Sequence, residues 1–377
     1  MLIRKEVTST KKGLQDILEE FVANDNVKGI IILSANNAEF IPSEIDPILK
    51  SVHKPIIGGI FTDIIYNNEV LDTGIIVAGL TQKLKTYVIP GLSDPKNDFE
   101  ALVNSMEDNL AEEEARSMFV LVDGYSTQVG RLLESLFNCF GVNLNFMGGG
   151  AGVVNPVALD MGTKPCLFTN DGVIADSAVI GLTSIKTAIG VKHGWKKIRG
   201  PYKVTESEGN AVKTIDWKPA FEVYANIIKE YSGLEITEEN FFDISKMFPF
   251  GLNRMGSEII VRDPFTSVGS SLILATPVPN ESFLEVLNGD IETLVEAAKN
   301  AIEDCFATMN EEGKTIFLFD CVSRYLIYGE DFEKELAAIN QPGVPVIGVL
   351  SMGEIANNGN DYMELYNKTC VVGLMND

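Results

Sequence analysis

Four residues within the last sixty positions combine a thiol, a guanidinium, a carboxyl and an amide: Cys321, Arg324, Glu354 and Asn367. A guanidinium can hold a ligand carboxylate through two parallel hydrogen bonds, and a carboxylate can accept hydrogen bonds from a ligand ammonium. Arg324 and Glu354 would therefore suit a free amino acid or a similar polar metabolite. Asn367 would then orient the ligand, and Cys321 would lie in the pocket wall. The alternative is an internal ion pair between Arg324 and Glu354 that ties two strand ends together.

The supply of histidine limits other kinds of site. His53 and His193 are the two histidines of the chain, which argues against a metal site with several histidine ligands. Cys321 could act as a nucleophile only beside a base, and His193 is the one plausible candidate. A single axial histidine is enough to hold haem iron, so haem binding by His193 or His53 stays open. A cysteine-dependent enzyme and a haem-based sensor are thus two alternatives.

A run of glycines at Gly148, Gly149 and Gly150 invites comparison with nucleotide-binding loops. Its spacing is not GxGxxG, and the residues that follow do not begin a helix, so a dinucleotide site is not predicted. Glycine does permit close approach of another chain segment or of a ligand. We therefore expect these three glycines to let the backbone close over a bound ligand.

Composition and charge exclude several classes of partner. Asp and Glu number 53 against 30 Lys and Arg, a net charge of −23, so the surface repels nucleic acid and anionic lipid. The five cysteines are widely spaced without a CxxC motif, which is typical of reduced thiols in the cytosol. The first residues do not resemble a signal peptide, and the apolar runs are too short for membrane insertion. We therefore expect a cytoplasmic protein.

Elements of strand length alternate with amphipathic helices, which predicts an α/β fold. Residues 29–33, 118–122 and 315–319 are predicted as buried strands. Residues 129–140 and 291–309 show helical spacing of their apolar positions. Cys321 and Glu354 follow predicted strands, where ligands of open α/β sheets bind. Asn367 and Thr369 are expected on one face of the final strand.

A weak repeat occurs three times: a strand, a helix, an apolar strand running into glycine, and a hairpin whose last strand runs into Gly-Leu. Its second strands end at residues 58, 148 and 348, and its last strands at residues 80, 182 and 374. Hairpins after each strand–helix unit imply mixed sheets. We predict two domains of such units, covering residues 1–215 and 216–377. The boundary is placed in the irregular-looking stretch 192–217.

An ordered set of short motifs resembles the FIST family, a pair of N- and C-terminal domains found in intracellular signal-transduction proteins. The likeness covers roughly residues 25–377. The motifs are residues 148–152 (GGGAG), 170–172 (NDG), 179–182 (VIGL), 193–195 (HGW), 204–205 (VT), 210–212 (NAV), 219–220 (PA) with Tyr224, 249–251 (PFG), 260–262 (IVR), Cys321 with Arg324, 353–354 (GE) and 366–369 (YNKT).

The resemblance implies a sensory module that binds small ligands, with amino acids suggested for the family, and some members that look like haem-containing nitric-oxide sensors. The chain has no room for an output domain, so it would pass its state to a separate signalling protein. We predict non-enzymatic binding of a small polar metabolite, without a cofactor. A purely structural partner-binding protein is the remaining alternative.

Overall fold

A computed structural model of the chain describes residues 1–8, 10–36, 40–107, 115–154, 163–253, 259–309, 313–357 and 362–377. It confirms the α/β prediction, with helices packed on several mixed sheets. None of the helices in these ranges has the length and apolar character needed to cross a bilayer.

Three related units build most of the fold, and the first two share the order β-α-β-α-β-β-β-β. Unit 1 contains β1 (Leu2–Glu6), α1 (Lys11–Ala23), β2 (Gly29–Ala35), α2 (Pro42–Ser51), β3 (Ile56–Phe61), β4 (Ile64–Tyr66), β5 (Glu69–Leu71) and β6 (Ile75–Leu80). Unit 2 contains β7 (Leu84–Pro90), α3 (Phe99–Glu107), β8 (Ser117–Asp123), α4 (Val129–Phe140), β9 (Asn145–Ala151), β10 (Leu167–Thr169), β11 (Gly172–Ile174) and β12 (Ser177–Thr183), with a short 3-10 helix at Gly141–Asn143.

Unit 3 is interrupted after its first strand, β13 (Thr187–Lys192), by an inserted segment. The inserted segment contains β14 (Lys196–Glu208), β15 (Ala211–Ile215), β16 (Lys218–Pro219), α5 (Ala220–Ser232), α6 (Phe241–Ser245), β17 (Phe250–Leu252), β18 (Ile260–Arg262), β19 (Pro264–Val268), β20 (Ser271–Leu274) and β21 (Phe283–Asn288). Unit 3 then continues with α7 (Ile291–Met309), β22 (Thr315–Cys321), α8 (Val322–Tyr328), a 3-10 helix at Gly329–Asp331, α9 (Phe332–Ile339), β23 (Val346–Ser351), β24 (Glu354–Ala356), β25 (Glu364–Tyr366) and β26 (Cys370–Met375).

The three units exchange their hairpins in a closed circle. Unit 1 forms the sheet β1-β6-β2-β3 and receives the hairpin β10-β11 of unit 2. Unit 2 forms β7-β12-β8-β9 and receives β24-β25 of unit 3, and unit 3 forms β13-β26-β22-β23 and receives β4-β5 of unit 1. The predicted repeat is therefore confirmed as a threefold arrangement in which each sheet is completed by its neighbour.

A glycine occupies the same place in each unit, on the second of two parallel strands. Gly58, Gly148 and Gly348 lie opposite Ile32, Val120 and Leu318, respectively. A Cβ added to these glycines would lie 2.1, 1.9 and 2.3 Å from the carbonyl oxygen of the residue opposite. Because no side chain fits at such distances, the glycines of the repeat are required by close strand packing.

Alternation along the strands divides the apolar residues between two layers. In β22, Phe317 and Phe319 pack in a central core shared by all three sheets, and Phe317 contacts Phe119 of β8 edge to face. Ile316 and Leu318 point the other way, toward α7 and α9. Each sheet thus has an inner face on the shared core and a helix face under its own helices.

The inserted segment forms an eight-stranded sheet with its own core beneath α5 and α6. The stretch 192–217, expected to be irregular, is mostly strand, because β14 pairs with both β15 and β21. Strands from both sides of residue 215 share three of the four sheets. The domain boundary near residue 215 stays a prediction. The sheets do not separate at that residue, because strands before it pair with strands after it.

Candidate functional site

The end of β22 delivers neighbouring side chains to opposite faces of the sheet of unit 3. Asp320 lies on the helix face, opposite Cys370 of β26, whereas Cys321 continues the inner-face series of Phe317 and Phe319. Charged and reactive side chains therefore form one cluster on each face of the sheet at this strand end. A third cluster lies where the inserted segment meets unit 3.

The helix-face cluster consists of Asp320, Arg324, Glu335 and Cys370, which are all fully buried. The guanidinium donates to Glu335 from both Nε and Nη2, and its Nε lies 3.3 Å from Asp320 Oδ1. Its remaining hydrogen bonds reach His193 O at 2.9 Å, Leu294 O at 3.2 Å, Lys368 O at 3.4 Å and the Tyr328 hydroxyl at 3.4 Å.

Arg324 is therefore saturated by groups of its own chain. It forms no ion pair with Glu354, so the internal pair considered as an alternative is wrong. Burial would lower the pKa of Arg324, but the carboxylates of Glu335 and Asp320 raise it well above its usual range. Binding of a ligand carboxylate by Arg324 stays a prediction. Each of its N–H groups already donates to a group of the chain, so a ligand would have to displace one of these acceptors.

One oxygen or sulfur atom each from Asp320, Glu335 and Cys370 lies within 4.8 Å of the others. Such a set could in principle ligate a metal ion, but Arg324 already places a cation against both carboxylates. Burial, followed by the charge of Glu335, raises the pKa of Asp320 well above its usual range. The arrangement is that of two buried carboxyls sharing one guanidinium.

The inner-face cluster is formed by Cys321, Ser351, Glu354 and Thr369. The Glu354 carboxyl accepts hydrogen bonds from the Ser351 hydroxyl at 3.0 Å and from the Thr369 N–H at 3.4 Å, and from the Cys321 thiol. Burial raises the pKa of Glu354 to about 8, and these hydrogen bonds lower it only in part. Burial, followed by the charge of Glu354, also raises the pKa of Cys321 well above its usual range.

The junction cluster joins unit 3 to the inserted segment through Asp263, Thr276, Ser323, Asn367 and Lys368. Lys368 Nζ donates to Ser323 Oγ at 2.8 Å and lies 3.2 Å from Asp263 Oδ2. Ser323 Oγ donates to the same carboxylate oxygen at 2.8 Å. Thr276 Oγ1 donates to Asn367 Oδ1 at 2.8 Å. The junction is therefore held by buried polar groups from two segments.

One predicted placement differs in the structure, and another stays untested. The final strand begins at Cys370, so Asn367 and Thr369 lie in the turn before it and not on one strand face as expected. Gly149 and Gly150 pack against residues 351–353 of unit 3, since Gly150 N–H donates to Gly353 O at 2.9 Å. These glycines admit a segment of this chain, and their closure over a ligand stays a prediction.

The two histidines lie in different surroundings. His193 is buried, and its Nδ1 accepts a hydrogen bond from the Trp195 N–H at 2.9 Å. Burial, together with the charges of Arg324 and Lys192, lowers the pKa of His193 to about 4, so the ring is uncharged at neutral pH. His53 is exposed. If haem binds in the buried interior, its histidine ligand must be His193, because His53 is exposed.

The threefold arrangement provides an internal comparison for the charged positions. By strand register, Asp320 corresponds to Ser34 in unit 1 and to Val122 in unit 2. Glu354, which pairs with Gly149, corresponds in the same way to Ile64 and Leu167. The same backbone is therefore built in units 1 and 2 without a carboxylate at either position, so the strands themselves do not require these charges.

A cavity of about 580 Å³ opens elsewhere, between α1 and α2 of unit 1. Leu18, Val22, Ile48 and Val52 contribute to its apolar lining, and Lys11 and Glu44 also line it. It contains none of the residues predicted as a site.

Several residues of the clusters were missed by reasoning from the sequence, among them Glu335, Lys368 and Asp263. Glu335 had a detectable signal, because it interrupts the apolar stripe of α9 between Phe332 and Leu336. Lys368 lies within a motif that was noticed, but no spacing rule relates it to Asp263, which is more than a hundred residues away.

Family models cover most of the chain. The FIST N domain matches residues 29–218, and the FIST C domain matches residues 220–357. A protein of Methanocaldococcus jannaschii described as "Uncharacterized protein MJ1623" is 24% identical over 229 residues, which are 54% of this chain and 44% of the relative. The chain thus spans less than half the length of that relative. The two matched models meet within the inserted segment, and together they show that the chain belongs to the FIST family, whose domains are associated with signal-transduction sensing.

Proposed function

We propose that the chain is a sensory protein that binds a small polar metabolite where unit 3 meets the inserted segment. The site comprises the inner-face and junction clusters, with Glu354 and Cys321 on one side and Asp263 on the other. An amino acid is the ligand class that the sequence predicts. The protein binds its ligand without chemical turnover and passes its state to a separate signalling protein.

The observation that carries this proposal is the buried carboxyl group of Glu354, at a position where units 1 and 2 have Ile64 and Leu167. Buried carboxyls are costly unless they are paired, and unit 1 has Ile64 where unit 3 has Glu354. Perturbed buried titratable groups at strand ends are typical of functional sites. The cost of burying Glu354 therefore supports a role beyond holding the fold together.

The position of the site suits a sensor because two segments of the chain meet there. Asp263 and Thr276 belong to the inserted segment, whereas Lys368 and Asn367 belong to the turn before β26. That turn also reaches Glu354 through the Thr369 N–H. A ligand in contact with this turn would alter the hydrogen bonds that hold the inserted segment to unit 3. The outer face of the inserted segment would then present the change to the signalling partner.

The enzyme alternative is weakened by the state of Cys321. A nucleophilic cysteine needs a lowered pKa, whereas burial raises the pKa of this thiol. Haem binding depends on the uncharged ring of His193 and can be decided by reconstitution. We expect no Soret band after incubation with haemin, and a band that His193→Ala abolishes would favour the haem-based sensor.

The proposal is tested by a thermal-shift screen of the full chain with amino acids and other small metabolites. A ligand at 100 times its dissociation constant should stabilise the protein by about 2.7 kcal/mol. The shift should be lost in Asp263→Asn and retained in Glu230→Gln, since Glu230 is an exposed residue of α5 outside the site. A panel without a stabilising ligand would count against the proposed function.

A further inference from the structure

The junction and inner-face clusters together hold more carboxyl groups than cations. Among the described residues, Asp263 lies beside the cation Lys368, and Asp263, Glu354 and Lys368 are all buried. The three N–H groups of Lys368 have three acceptors: Lys246 O at 3.0 Å, Ser323 Oγ at 2.8 Å and Asp263 Oδ2 at 3.2 Å. Asp263 Oδ1 is also buried and has no hydrogen-bond donor. An unsatisfied buried acceptor is costly, which points to a donor that the site receives from outside the chain.

Two arginines in the described part of the structure donate hydrogen bonds to groups of the chain near this site. Arg324 lies on the helix face of the sheet, where it donates to Glu335 and to the carbonyl oxygens of His193 and Leu294. Arg262 donates to the carbonyl oxygens of Val261 and Leu365, and lies 3.8 Å from Glu364. A ligand carboxylate beside Asp263 would therefore meet another carboxyl group, and the described cation there, Lys368, already has three acceptors. Two like charges in a buried site repel each other strongly.

Resting on the proposed function, we infer that the ligand is recognised through a cationic amine or amidine that donates to Asp263 Oδ1, and that a carboxylate on the ligand weakens its binding. The cation supplies the donor that Asp263 Oδ1 lacks and pairs with the Asp263 carboxyl group. Such a hydrogen bond joins two charged groups, which makes it stronger than one between neutral groups. Ser323, Asn367 and Thr276 are each less than 10% exposed, and a ligand would approach Asp263 past them, between unit 3 and the inserted segment.

The experiment compares amines with the amino acids from which they differ by one carboxylate. The full chain is titrated with putrescine and ornithine, cadaverine and lysine, agmatine and arginine, and tyramine and tyrosine, by calorimetry and thermal shift. We expect at least one amine to bind tenfold or more tightly than its amino acid. Asp263→Asn should weaken binding of that amine by tenfold or more, whereas Glu230→Gln, which changes an exposed carboxylate of α5 outside the site, should retain binding within about threefold.

The outcomes separate the inference from the proposed function. Equal or tighter binding of the amino acid in each pair, or binding confined to neutral or anionic metabolites in a wider panel, would overturn the inference and leave the function standing. A stable protein that binds nothing in the wider panel would overturn both. If Asp263→Asn does not fold, the matched pairs on the unmodified chain still decide the question, because they require no variant.

Discussion

Replacement of Glu354 by glutamine should remove a large part of the pH dependence of stability. The folded chain raises the pKa of this carboxyl from 4.5 to about 8, mainly through burial. Between these two pH values the folded state keeps a proton that the unfolded state releases. The free energy of unfolding therefore falls as pH rises, by about 1.4 kcal/mol for each pH unit. The stabilisation is complete below pH 4.5 and is lost as pH rises through 8.

The full interval from pH 4.5 to 8 corresponds to an upper limit of about 5 kcal/mol. Glutamine keeps a group that can bond to Ser351 and Thr369 but cannot titrate. The assay is urea unfolding at pH 5.5, 7.0 and 8.5, for the unmodified chain, Glu354→Gln and the exposed control Glu230→Gln. Asp263 and Asp320 also have raised pKa values, so the difference between variants isolates the contribution of Glu354.

We expect Glu354→Gln to gain stability relative to the unmodified chain as pH rises, by about 3 kcal/mol or more between pH 5.5 and 8.5. Glu230→Gln should follow the unmodified chain at every pH. Parallel curves for the unmodified chain and Glu354→Gln would refute the reasoning, because they would mean that folding leaves the proton affinity of this carboxyl unchanged.

Other substitutions probe the packing and the clusters. Arg324→Met should lower the free energy of unfolding by about 3–5 kcal/mol, because two buried carboxyls lose their cation. Lys299→Met, which breaks an exposed ion pair, should change it by less than about 1 kcal/mol. Equal effects of the two variants in urea unfolding would contradict this reasoning. Gly148→Ala should abolish soluble expression, because the added Cβ would lie 1.9 Å from a carbonyl oxygen. Gly130 of α4 has open space around it, so Gly130→Ala should raise the melting temperature slightly. Cys321 in the folded chain should resist alkylation at pH 8 and react after denaturation, as followed by mass spectrometry; rapid reaction when folded would revive the enzyme alternative.

Local patterns of the sequence determined the elements and their repetition. The predicted helices 129–140 and 291–309 coincide with α4 and α7, because one apolar face every 3.6 residues must be buried against a sheet. The repeated glycines at residues 58, 148 and 348 marked the second strand of each unit, since close strand pairing excludes a side chain there. Cys321 and Glu354 were also expected near each other, and the structure joins them by a hydrogen bond.

Only the tertiary structure decided how remote segments meet. The exchange of hairpins between units depends on which sheet edges face each other, and no local pattern encodes that choice. The same holds for the partners of the charged groups: Arg324 of α8 pairs with Glu335 of α9, and Lys368 pairs with Asp263 from the inserted segment. Charge pairing over long sequence separations follows from packing, because the energy of a buried ion depends on every group that surrounds it.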